Sequence, residues 1–176
     1  MWRKRTVPVP DGERSVKDVE KARERTMNRA VKLLAAKPRS IEELRERLLE
    51  KSWTNREIVA GVIAKLEEYR YLDDAQYAHD IALSKLRQKP QGKRRLEQAM
   101  SRKKLDRETI TRAVEEALEQ IPETDMIDLA IAKRIRLKGM PETREDKKKF
   151  LDHLLRQGFG YDLIRERMSN LAGPPA

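Results

Sequence analysis

Residues 44–62 read LRERLLEKSWTNREIVAGV, and their apolar positions Leu44, Leu48, Trp53, Ile58 and Val62 are spaced 4, 5, 5 and 4 residues apart. The same spacing returns 52 residues later at Leu96, Met100, Leu105, Ile110 and Val114. It returns again after a further 54 at Phe150, Leu154, Phe159, Ile164 and Met168. A step of 4 is one turn on one helix face, so each stretch reads as two helices. The central apolar residue then plugs the corner between them. Self-similarity at this period marks a repeat architecture, whose working surface is distributed rather than gathered in one pocket.

Working outward from the echoes, proline sets the boundaries. Between the two ends it occurs only at Pro38, Pro90, Pro122 and Pro141, and it interrupts helix interiors. Nine helices follow, at about 17–36, 41–51 and 55–70, then 74–88, 92–103 and 107–120, then 124–138, 144–157 and 161–171. The expected fold is all-α: three tandem three-helix modules forming an elongated curved array. The modules span 16–72, 73–121 and 122–171. Residues 1–15 form a flexible basic tail and 172–176 a second tail. No segment alternates as a strand does.

Local chemistry supports these bounds. Ser40 with Glu43, and Thr54 with Glu57, have capping-box spacing. Asp106 and Gly160 stand where Thr54 does in the other echoes, and Asp73 and Asp74 can cap the helix that opens the second module. Tyr71 and Leu72 beside them are assigned to packing. Trp53 and Phe159, as corner plugs, are assigned to the core. The residue before each plug is Ser52, Lys104 or Gly158. A helix often ends there in a left-handed conformation that glycine adopts freely, so the third turn is expected to be the tightest.

The 176 residues are 40% charged with a mean hydropathy of −0.84, which suits small helical modules better than one large core. There is no cysteine, which excludes a disulfide scaffold and thiolate chemistry and suits a reducing compartment. The basic opening Met1–Arg5 is not followed by an apolar run, and no stretch approaches a membrane span. A cytoplasmic protein without a membrane partner is expected. His79 and His153 lie far apart and lack thiol partners, and Gly92–Lys93 lacks the rest of a phosphate loop. No catalytic residue, cofactor or metal site is therefore expected.

The net charge is +10, and it is not spread evenly. Residues 1–84 carry +3, residues 85–112 carry +8 and residues 113–176 carry −1. A segregated basic block meets a polyanion or an acidic protein face, whereas solubility alone does not require segregation. The candidate binding residues are Lys85, Arg87, Lys89, Lys93, Arg94, Arg95, Arg102, Lys103, Lys104 and Arg107. Cations at 93–95 oppose the dipole of the helix they open, which hints at an anionic partner. Those at 102–104 suit a helix end, which favours the plain reading of a solvated face. Lys147–Lys149 are offset by Glu142, Glu145 and Asp146 and are assigned to solvent. Trp2 could stack on a base, but an unstructured end is the simpler reading.

Three stretches resemble the RecX family of bacterial regulators of the RecA recombinase. They are Pro38-Arg39-Ser40 with Glu43, Leu44 and Leu48, leading to Tyr71-Leu72-Asp73-Asp74 and Tyr77-Ala78; Gly92-Lys93-Arg94-Arg95-Leu96 continuing to Arg102-Lys103; and Leu154-Leu155-Arg156-Gln157-Gly158-Phe159 with Tyr161 and Ile164. The likeness spans about 25–170. The chain departs from the family at Ser52, Arg70 and Lys104, where Gly is usual, and at Met100, where Leu is usual. The resemblance implies a non-enzymatic protein that lies in the groove of the RecA–DNA filament, touches more than one protomer and restrains strand exchange, ATP turnover and repressor cleavage; a monomer is expected. The basic middle module would meet single- and double-stranded DNA. From charge and periodicity alone, two other readings stay open: an independent helix-turn-helix-like DNA-binding protein, and a helical adaptor for acidic proteins.

Overall fold

The computed structural model describes residues 10, 14 and 16–171. The tail segments 172–176 and, apart from Pro10 and Arg14, 1–15, including Trp2, lie outside the described residues. Among those residues the chain forms nine helices and no strand. The helices are α1 (Val19–Ala36), α2 (Ile41–Leu49), α3 (Arg56–Glu68), α4 (Asp74–Gln88), α5 (Lys93–Ser101), α6 (Arg107–Gln120), α7 (Glu123–Lys138), α8 (Arg144–Arg156) and α9 (Tyr161–Leu171). The all-α expectation and the helix order from spacing and proline both hold.

Two compact units divide the chain. The first comprises residues up to Tyr77 together with Lys103–Leu105, and the second holds the rest. In the first, α1, α2 and α3 pack on one another around Ala30, Leu44, Leu48, Val59, Val62, Ile63, Leu66 and Leu72. In the second, α5 packs on α6, and α7, α8 and α9 pack as a trio. Phe150, Leu154, Phe159 and Ile164 are all buried there, so the third echo is a core stripe.

Capping follows the sequence closely, with one shift. Ser40 and Glu43 form the capping box of α2, and Asp106 Oδ1 accepts from the Thr109 amide at 2.8 Å. The cap of α3, however, is Asn55, whose Oδ1 accepts from the Ile58 amide at 2.9 Å. Thr54 is instead buried, its hydroxyl hydrogen-bonded to that of Thr26 at 2.9 Å. A buried hydroxyl needs a partner more than an exposed helix end does, so Thr54 turns inward and its neighbour takes the cap. A second box, Thr143 with Asp146, opens α8.

The corners also differ from the simplest expectation. Gly158 is left-handed, with φ 92°, but so is Lys104, with φ 56°. Arg70, after α3, has the same φ of 56°. The left-handed turn thus survives without glycine in the second echo, at about 1 kcal/mol of backbone strain. Ser40 Oγ donates to the Lys103 carbonyl at 2.6 Å, and Lys104 Nζ pairs with Glu46, which together hold that turn. Trp53 is only half-buried and lies under the Arg25 guanidinium, 4.4 Å from its centroid. Tyr71 is 70% exposed, whereas Leu72 is buried, so only Leu72 serves packing.

Candidate functional site

The basic candidates of the middle module differ sharply in how the fold uses them. Lys85 and Arg87 lie in the last turn of α4, where cations suit the carbonyl end of the dipole. Arg87 and the following Lys89 are exposed, and Lys85 is half-buried. Lys93, Arg94 and Arg95 form the first turn of α5, and its N-cap Gly92 offers no side chain to satisfy the helix amides.

That helix start is satisfied from elsewhere. The Lys93 amide donates to Glu123 Oε1 at 2.8 Å, and Lys93 Nζ pairs with Glu115 at 3.0 Å. The hydrogen bond that its ammonium donates to Glu115 holds the Lys93 pKa above its ordinary value. Arg95 donates through Nη1 to the Arg156 carbonyl at 3.1 Å and to Gln157 Oε1 at 3.2 Å. The Gly92 amide donates to the Gln157 carbonyl at 2.9 Å, and a Cβ on Gly92 would overlap the Gly158 backbone. Lys93 and Arg95 are therefore building contacts, and so is Lys104 through Glu46.

Arg94, Arg102 and Arg107 are different. All three are exposed, and their guanidinium groups have no ion-pair partner among the described residues. Arg102 is the C-cap of α5 and Arg107 the first residue of α6. Lys103 is half-buried, and its backbone carbonyl, not its ammonium, makes the contact with Ser40. The fold thus separates the candidates into structural cations (Lys93, Arg95, Lys104) and accessible ones (Arg87, Lys89, Arg94, Arg102, Arg107). Exposed, unpaired guanidinium groups suit phosphate or carboxylate recognition, because each presents a planar fork of donors.

The motif around Tyr71–Ala78 is structural. Asp73 Oδ1 accepts from the Gln76 amide at 2.9 Å and caps α4. Asp74 Oδ1 reaches the Ile41 amide at 2.9 Å, and the Tyr77 hydroxyl donates to Glu43 Oε2 at 3.3 Å. Burial beside the Glu43 carboxylate pushes the Tyr77 phenol up to about 12. Asp74 on the Ile41 amide is the counterpart of Glu123 on the Lys93 amide: in each case the first residue of a later helix, α4 or α7, accepts from the first residue of an earlier one, α2 or α5.

Sequence reasoning missed a second basic cluster. Lys133, Arg134 and Lys138 of α7 line a cavity with Lys89 and His153. The only sequence signal was Arg134 and Lys138 one helical turn apart, in a segment whose summed charge is −1.

Two family models match the chain: the first three-helix domain of RecX over residues 27–66, and the second three-helix domain over residues 73–114. A regulatory protein RecX of Thermotoga maritima is 33% identical over 147 residues, covering 84% of each chain. Another, of Chlorobaculum tepidum, is 28% identical over 148 residues, covering 84% of this chain and 88% of the relative. The crystal structure of RecX from Lactobacillus salivarius has the same fold, with a TM-score of 0.73 at 20% identity over 87% of this chain and 98% of that one. No helix of the described residues is long and apolar enough to cross a membrane.

Proposed function

This chain belongs to the RecX family of regulatory proteins, and from that premise we propose that it binds the RecA filament on DNA and restrains it. The restrained activities are strand exchange, ATP turnover and repressor cleavage. The protein acts in the cytoplasm as a monomer and works by occupying a surface, not by catalysis. Its basic middle module meets DNA phosphates or acidic protein surface in the filament.

One observation carries the reading of where binding occurs. Arg94, Arg102 and Arg107 sit within 14 residues of the most basic stretch, exposed and without ion-pair partners among the described residues. Elsewhere many exposed cations are paired within a helix turn, as in Arg23–Glu20, Arg47–Glu50, Arg112–Glu108 and Lys149–Glu145. Such pairs are worth little, but they cancel the local field that a polyanion would feel. Unpaired cations keep that field.

The test is the single-stranded-DNA-dependent ATPase of assembled RecA, titrated with this protein in the presence of naked DNA competitor. Inhibition at low ratios to RecA that survives the competitor supports action on the filament. Inhibition that the competitor abolishes supports plain DNA binding instead, and no inhibition rejects the filament reading.

A further inference from the structure

The second unit contains a cavity of about 170 Å³ that lies outside the basic middle helices. Its polar lining is Lys89 from beyond the end of α4, Lys133, Arg134 and Lys138 from α7, and His153 and Gln157 from α8 and its cap. No carboxylate lines it. None of the four cations has an ion-pair partner among the described residues. Arg134 Nε is buried and has no hydrogen-bond partner. Gln157 gives its Oε1 to Arg95 and keeps its amide nitrogen as a donor.

A plain account covers only part of this. Cations in the last turn of α7 suit its dipole, and Arg136 and Lys138 are there for the taking. The dipole does not require Arg134 and Lys138 to share a face, where like charges one turn apart repel. Nor does it draw Lys89 and His153 to the same hollow. A cluster of like charges is costly when empty and favourable around an oxyanion.

We propose that this cavity is a phosphate-binding site, seating one phosphate group through Lys89, Lys133, Arg134 and Lys138, with Gln157 as a neutral donor. The size admits a single phosphate group, and tetrahedral oxygens accept from several directions at once. A nucleic-acid phosphodiester and a free phosphate share this chemistry. Apart from Lys89, the site uses residues other than the basic candidates behind the filament reading.

His153 reports on occupancy. Burial, then the charges of Arg134, Arg156 and Lys89, hold its pKa below the ordinary histidine value. The charged groups facing it are cations from the end of α4, from α7 and from α8 itself. An anion seated among them offsets that field and draws a proton onto the imidazole. Protonation of His153 and seating of the anion therefore favour each other.

The experiment is an NMR titration of the two histidines in the full chain between about pH 5 and 8.5, around the usual histidine value. Three conditions share one ionic strength: chloride, inorganic phosphate, and a short oligothymidylate. The expected result is that the His153 midpoint moves up by roughly 1 on the pH scale with a phosphate-bearing probe and not with chloride. A response to the oligonucleotide alone assigns the site to a nucleic-acid backbone, and a response to inorganic phosphate assigns it to the free anion. The variant K133Q/K138Q, at two exposed positions that leave the core intact, should bind either probe several-fold more weakly. An unmoved His153 in both probes, or a variant that responds as the parent does, overturns the proposal.

Discussion

At the scale of single residues, backbone conformation decides more than side-chain type. Arg70 and Lys104 hold φ at 56°, a region that costs a residue with a Cβ about 1 kcal/mol or more. Arg70 is exposed, so Arg70→Gly removes that strain and loses little contact. The added freedom of the unfolded chain takes back roughly 0.4–1 kcal/mol, so the net gain is small and positive, about 0.5 kcal/mol. Ser52→Gly should go the other way by a similar amount, because Ser52 does not have a positive φ. Opposite shifts of the urea midpoint are the check, and two shifts of one sign would contradict it. His153 gives a pH prediction at the same scale. Its folded pKa lies below its unfolded one, so the unfolded chain takes up the proton first as pH falls. The stability contribution is present above the ordinary histidine value and is lost as pH drops through the folded value. His153→Gln should flatten the decline in urea midpoint between about pH 7.5 and 5.5. An unchanged slope would show that other groups set it.

At the scale of elements, the helix starts are cross-braced, and this tests the meaning of the Tyr71–Ala78 motif. Asp74 completes α2 by accepting from Ile41, and Glu123 completes α5 by accepting from Lys93. Asp74→Ala should cost about 1–2 kcal/mol in thermal or urea unfolding, because it leaves a helix-terminal amide without its charged acceptor. Asp74→Asn, which keeps a carbonyl oxygen, should recover part of the loss. Equal losses for the two variants would mean that the contact is not the cause. The helices themselves were legible because apolar spacing and proline report directly on one face and one end: α4, α6 and α9 fall on the expected residues. The Asn55 cap was not legible, because it depends on Thr26 being buried opposite Thr54, a pairing 28 residues apart. The separation of Lys93 and Arg95 from Arg94 was equally hidden. All three read as one cationic run, and only the approach of Glu115 and the Arg156 carbonyl tells them apart. The cavity cluster escaped because its charge is cancelled along the chain by acids that do not line it.

At the scale of the whole molecule, one carbonyl position recurs in the three echoes: Lys51, Lys103 and Gln157, each just before a corner. Each accepts a hydrogen bond from an upstream residue: Arg14 Nη1 at 2.9 Å, Ser40 Oγ at 2.6 Å and the Gly92 amide at 2.9 Å. Ser40 and Gly92 are the N-caps of α2 and α5, so the second and third corners are closed from the starts of those helices. The first corner is closed differently. Arg14 fills the role there, and it also donates to the Leu49 and Thr54 carbonyls at 2.9 and 3.0 Å. Arg14→Ala should therefore destabilise the chain by about 2 kcal/mol, the scale of lost hydrogen bonds from a charged donor, with no loss of surface charge in the basic middle. Charge reversal at Arg94, Arg102 and Arg107 should do the converse, since these groups hold nothing together. The triple variant is expected to keep its helicity and urea midpoint while its inhibition of the RecA ATPase falls at least tenfold. Its residual inhibition should also depend less on salt than the parent's, because fewer phosphates or carboxylates are neutralised on binding. A folded triple variant that inhibits with parental strength and parental salt dependence would move the interface away from these three arginines.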